Sequence, residues 1–286
     1  MKILITGSNG FIGKNIVEKL SSSNEFLSLD HKTTDLTSFS DLSRHFKNFG
    51  PDATIHCAAK PGHRLAVDNK DLTLINLQMF TAINKCTETF NTKKFICIGS
   101  GSEYSMNQNL KNVSEDNLGN VIPKDETGFP RYIINNLIKL NPRALNLRCF
   151  GVFGKYENYN MRFISYAITR AILNKDIIIN EDKRFSYLYI DDLVKIIDIF
   201  LINKNKHHDY NIVPDYVYTM SQIANTIIET AKSTSQVKVL NKGFDYTANN
   251  TRFKSEFDFN FTPFNIAIKE LCEYYLSIKN ELVIEG

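Results

Sequence analysis

The chain predicts an α/β protein, a doubly wound parallel sheet with a smaller C-terminal lobe. Short apolar runs alternate with longer amphipathic stretches along most of its length. A glycine-rich turn joins the first run to the first amphipathic stretch, and no repeat or low-complexity tract interrupts the pattern. Strands alternating with helices build βαβ units, whose parallel sheet is covered on both faces.

Each element follows from its periodicity. Lys2–Thr6 reads as a strand, and Phe11–Leu20 places Phe11, Ile12, Ile16, Val17 and Leu20 at helical spacing. Glu25–Leu29 is a second strand, followed by the turn-rich His31–Ser38. Asp41–Phe49 and Leu72–Phe90 read as helices, with Ala53–Cys57 and Lys94–Gly99 as buried strands. The polar stretch Ser105–Gly128 predicts a long surface loop beside the site. Asn146–Phe150 and Ser186–Ile190 are later strands; Asp191–Asn203, Met220–Lys232 and Pro263–Lys279 are later helices.

Composition narrows the function. Of 286 residues 43% are hydrophobic and 23% charged, with a net charge of +3 carried by interspersed Lys and Glu. Such a surface predicts neither a nucleic-acid partner nor an anionic membrane. No apolar run reaches the roughly 18 residues of a membrane span, and no signal peptide precedes the first strand. Five cysteines without Cys-x-x-Cys spacing predict reduced, structural thiols in a cytoplasmic protein. No His, Cys and carboxylate cluster has metal-ligand spacing, so no metal is expected.

The turn Thr6-Gly7-Ser8-Asn9-Gly10-Phe11-Ile12-Gly13 carries the chemistry. Gly7 permits a tight turn, Gly10 close approach to a pyrophosphate, and Gly13 close packing of helix on strand. The helix then aims free N–H groups at the anion. Asp30, ending the second strand, is placed to accept from adenosine ribose hydroxyls and to repel a 2′-phosphate. NAD is therefore expected, with NADP possible through His31 and Lys32. Residues 1–150 are expected to form a Rossmann-type dinucleotide-binding region, and 151–286 a substrate region returning strands to the main sheet.

These residues resemble the extended short-chain dehydrogenases/reductases, in particular the nucleotide-sugar epimerases, dehydratases and reductases. The likeness runs nearly end to end. Gly7–Gly13, with Phe11 and Ile12, matches the first motif, and Asp35-Leu36 the acidic pair at the adenine. His56-Cys57-Ala58-Ala59 matches the strand-end Ala-Ala motif beside the cofactor, and Asn76 a helical Asn. Asn146–Gly154 resembles the Leu-Arg-x-Phe-Asn-Val-Tyr-Gly segment, with Gly151 replacing the Asn that often touches substrate. Arg184–Asp192 is similar to the Arg-Asp-Phe-Ile-x-Val-x-Asp segment, whose Arg grips the substrate pyrophosphate; Asn250 and Arg252 fall at further nucleotide-binding positions.

The resemblance implies a catalytic Ser and a Tyr-x-x-x-Lys pair. Ser100 fills the Ser position, four residues before Tyr104, with Ser102 in reserve at the substrate. The pair itself is substituted, and two frames are open. One sets Thr127 and Arg131 at the Tyr and Lys positions; the other sets Tyr132 and Asn136 there. The first matches the family's Tyr-Gly-x-Ser-Lys-Tyr. His63 and Arg64 are further candidates facing substrate. The expected function is NAD(P)-dependent modification of a nucleoside-diphosphate sugar with atypical catalytic residues. The alternative is a catalytically impaired binding protein acting as partner or regulator. A homodimer through Leu72–Phe90 and Tyr132–Leu140 is implied as well.

Overall fold

The computed structural model describes residues 1–60 and 71–283, so His63 and Arg64 lie outside the described residues. From the N-terminus β1 (Lys2–Thr6), α1 (Phe11–Leu20), β2 (Glu25–Leu29), α2 (Phe39–Phe49), β3 (Ala53–His56), α3 (Leu72–Thr89) and β4 (Lys94–Ser100) alternate. A 3₁₀ turn at Gly101–Tyr104 leads to β5 (Leu110–Val113), α4 (Gly128–Ile138) and β6 (Ala144–Cys149). Then come β7 (Gly151–Phe153), α5 (Phe163–Ile172), β8 (Ile177–Asp182), β9 (Arg184–Phe185), β10 (Tyr187–Tyr189), α6 (Ile190–Ile202) and β11 (Asp209–Ile212). The chain ends with β12 (Tyr218–Thr219), α7 (Met220–Ala231), β13 (Val237–Lys242), β14 (Tyr246–Ala248), α8 (Thr251–Lys254) and α9 (Phe264–Ser277).

The central sheet has six strands in the order β11-β6-β4-β3-β1-β2, and every neighbouring pair is parallel. This is the doubly wound sheet the sequence predicts. Alternation within β1 shows why both faces are dry. Ile3 and Ile5 join one core with Ile16 of α1 and the residues of α6, while Leu4 joins a second with Leu42, Phe46, Phe80 and Ile83. Chain order reverses at β1, where β2 lies on one side and β3 on the other, so a crevice opens at the carboxyl ends of these strands.

The stretch expected to be one long loop is more ordered than its polarity suggests. β5 lies inside it and pairs with β14, more than a hundred residues away, in a small sheet ordered β12-β9-β14-β5. Leu110 is the buried residue of β5; Lys111 and Asn112 face outward, which hides the strand from a hydrophobicity reading. β8 and β13 form a separate parallel pair, and helices α5, α7 and α9 pack on one another.

Candidate active site

The carboxyl ends of β3, β4 and β6 converge on one cleft of about 930 Å³. Gly7 sets its nucleotide side. Its φ is +71°, and a Cβ there would stand 2.7 Å from the Ala58 backbone nitrogen, so only glycine lets the first turn lie on the end of β3. Gly13 packs on the Gly7 carbonyl in the same way; Gly10 has more room, since its Cβ would stand 3.2 Å from that carbonyl oxygen. Helix α1 opens at Phe11 without a side-chain cap, and its first N–H groups are left for an anion. Phe11 and Ile12 reach into the cleft, together with Ala58, Ala59 and Asn76.

Asp30 follows β2. Its carboxylate accepts from the Lys32 N–H at 2.8 Å and the Thr33 N–H at 3.2 Å, and it receives the Asn9 amide of the glycine loop. The Lys32 bond is the main reason this carboxyl sits below the usual range. Asp35 accepts from Thr37, N–H at 2.9 Å and hydroxyl at 2.7 Å, while Leu36 is buried in the second core. Asn76 pins the chain after β3: its Oδ1 accepts from the Lys60 N–H at 2.9 Å, and its Nδ2 donates to the Leu72 carbonyl at 2.8 Å.

Ser100 ends β4 and is held from two sides. It caps the 3₁₀ turn, its hydroxyl accepting from the Ser102 N–H at 3.2 Å, while Glu103 accepts from the Ser100 N–H at 2.9 Å. Glu103 is in turn fixed by buried Arg148, whose Nε donates to it at 2.7 Å, and by Asn146. Across the cleft, Asp125 caps α4 by accepting from the N–H groups of Thr127 and Gly128 at 3.1 and 2.8 Å. Thr127 and Arg131 both line the cleft. Burial lowers the Arg131 pKa, and the charge of Glu103 opposes that shift. The floor is dry. His56, bonded to Thr6 at 2.7 Å, is lowered to about 4 by burial and then by Arg131, and is neutral at ordinary pH. Burial raises the thiols of Cys57, Cys97 and Cys149, which marks them as unreactive.

Residues 3–213 match the NAD dependent epimerase/dehydratase family. The chain belongs to this family. Protein CapI of Staphylococcus aureus is 26% identical over 231 residues, 69% of this chain and 68% of CapI. A GDP-L-fucose synthetase from Naegleria fowleri, solved with NADP, superposes with a TM-score of 0.82 at 20% identity, covering 98% of this chain and 94% of that one. The UDP-glucose 4-epimerase of Thermotoga maritima, solved with UDP-glucose, superposes with a TM-score of 0.84 at 19% identity, covering 97% and 99%. No helix among the described residues is long and apolar enough to cross a membrane, and no cluster of three His, Cys, Asp or Glu residues there is arranged to hold a metal ion.

Against the family pattern, the structure brings some expected residues to the cleft and leaves others away from it. Tyr132 is not in the lining: a Cβ built on Gly119 would stand 3.5 Å from its hydroxyl, which therefore faces that loop. Asn136 is exposed and donates to the Tyr132 carbonyl at 2.9 Å. Ser102 is buried behind Ser100, its hydroxyl donating to the Ser100 hydroxyl at 3.1 Å. Arg184 is exposed on β9, and its neighbours Lys183 and Phe185 line the cleft instead, because successive side chains alternate sides. Arg252 is spent on acids, pairing with Asp209 and Asp116 at 2.8 Å each.

Other lining residues escaped the sequence reading. Arg162, at the start of α5, and Lys183 bring positive charge. Glu157 is buried and takes the Ser165 hydroxyl at 2.5 Å; burial pushes its carboxyl up to about 8. Gly151 now has a physical reason. A Cβ there would stand 2.6 Å from the Phe185 ring and 2.9 Å from that of Tyr187. These rings stack at 4.4 Å and fill the place where the family often has an Asn side chain.

Proposed function

We propose that this chain is an NAD(P)-dependent enzyme that modifies a nucleoside-diphosphate sugar, as reductase, epimerase or dehydratase. The observation that carries this reading is the glycine cradle opening onto a cleft where Ser100, Thr127 and Arg131 stand together. The cradle fits a dinucleotide: a Cβ at Gly7 would fill it, the α1 amides are uncapped, and Asn9 and Asp30 offer paired polar groups for ribose hydroxyls. Bound there, the nicotinamide supplies or takes hydride at a sugar carbon.

In this reading Thr127 and Arg131 occupy the Tyr and Lys positions, since both line the cleft and Tyr132 does not. Arg131 keeps the charge that holds a ribose, whereas a Thr hydroxyl is far too weak an acid to replace a phenol of pKa about 10. Ser100 donates to the sugar oxygen. Arg162 and Lys183, rather than Arg184, take the diphosphate. Helices α3 and α4 pack on each other and expose Leu74 and Phe129, the face on which a second copy would dock to form a homodimer.

Isothermal titration tests the reading. NAD is expected to bind more tightly than NADP, because Asp30 repels a 2′-phosphate. Stopped-flow absorbance across a panel of 4-keto-sugar nucleotides is expected to show hydride transfer. Absence of affinity for either dinucleotide overturns the assignment. The Thr127 substitution favours one other reading, a binding protein without efficient turnover, and binding with no hydride transfer across the panel would establish it.

A further inference from the structure

A cleft built for proton transfer to a sugar oxygen needs a hydroxyl acid beside Ser100, and Thr127 is a poor one. Each tyrosine at hand has a traceable position. Tyr104 donates to Asn211 at 2.9 Å and is contacted by Arg148. The Tyr166 hydroxyl accepts from the Ile178 N–H at 3.4 Å, and that of Tyr187 points at the Met220 sulfur at 3.9 Å. Tyr132 faces Gly119.

Tyr246 differs. It comes from β14, in register with Phe185 on one side and Leu110 on the other. Its ring packs at 4.8 Å on Phe150 and on Phe185, both of which line the cleft. Its hydroxyl stands over the 3₁₀ turn, where a Cβ on Gly101 would come within 2.6 Å of it. Gly101 leaves the space in which the phenol reaches Ser100, and Arg131, Glu103 and Asp125 surround the pair. Burial holds the phenol protonated well above its ordinary range, opposed by Ser100 and Arg131.

We propose that Tyr246 is the positioning and proton-relay residue of this site, acting through Ser100 in place of the tyrosine that Thr127 replaces. This rests on the oxidoreductase reading above. In the reductive direction the sugar carbonyl carbon gains hydride from the reduced nicotinamide, and its oxygen takes the Ser100 hydroxyl proton. Ser100 recovers a proton from the Tyr246 phenol. The phenolate so formed is held beside the Arg131 guanidinium until water reprotonates it. A ketone, a reduced nicotinamide and one proton become an alcohol and an oxidised nicotinamide.

Two arms test the relay. In protein labelled with ¹³Cζ-tyrosine, the Tyr246 signal is identified by its loss in Tyr246→Phe; it is expected to move in Ser100→Ala and in Arg131→Met without any substrate. A signal indifferent to both substitutions overturns the proposal. In turnover of a 4-keto-sugar nucleotide, Tyr246→Phe is expected to lower kcat on the order of 10²-fold with KM nearly unchanged. Adding Thr127→Tyr to that variant is expected to restore much of the rate, which repair of a packing defect would not do. Undiminished kcat in Tyr246→Phe, or a loss confined to KM, also overturns the relay. Failure of the wild-type protein to bind a dinucleotide sinks the underlying reading instead, and the spectroscopic arm still judges the Tyr246–Ser100 contact.

Discussion

Glu157 shows how one buried side chain can bias the molecule with pH. Its carboxyl titrates near 4.5 in a free chain and at about 8 here, because burial disfavours its charge. The acid form therefore stabilises the fold fully below pH 4.5, and that contribution is lost as pH rises through 8. Relative to Glu157→Gln, which does not titrate, the wild-type protein is expected to lose on the order of 3 kcal/mol between pH 5 and 8. Urea unfolding of both proteins at the two pH values measures the difference; a constant gap would refute it. Residue-scale features were unevenly legible in the sequence. Gly7 was readable because a turn demanding positive φ admits few other residues. Glu157, Arg162 and Tyr246 were not, because their meaning comes from neighbours distant along the chain.

At the scale of elements, helix α4 decides which side chains face the cleft. Asp125 anchors its first turn by accepting from two N–H groups, and this sets the rotation that brings Thr127 and Arg131 inward and leaves Tyr132 outside the lining. Asp125→Ala is expected to cost about 1 kcal/mol of stability and to weaken dinucleotide affinity, because Arg131 is no longer fixed. Urea titration and calorimetric binding check the two parts. Helices α1, α3, α6, α7 and α9 were legible from apolar spacing within a residue or two of their ends. The short strands were harder. β9, β12 and β14 have two or three residues each, too few for an alternation to register, and exposed β13 has scarcely any apolar face.

For the whole molecule, Arg148 is the joint. It lies fully buried on β6 and donates to Glu103 after β4, to Asp209 on β11 at 2.9 Å, and to Asn135 on α4 at 3.0 Å. Arg252 extends the network from the other side of Asp209. Removing the guanidinium strands two buried carboxylates, so Arg148→Met is expected to cost about 3–5 kcal/mol in chemical denaturation. It is also expected to slow any turnover, because Glu103 no longer holds the Ser100 backbone. A variant as stable as the wild type would show that water or protonation relieves those acids. The parallel sheet could be inferred from alternating patterns, but this crosslink could not, since a charge inside an apolar run does not announce its partners.

The edge position of β11 has a consequence for synthesis. The sheet from β1 to β6 is complete by residue 149, yet its last neighbour arrives only with residues 209–212. While a ribosome makes the intervening segment, β6 presents an open edge, and Arg148 waits without Asp209. A nascent chain of this protein is therefore expected to stay vulnerable to protease, and to depend on chaperones, until about sixty residues beyond the first half have emerged.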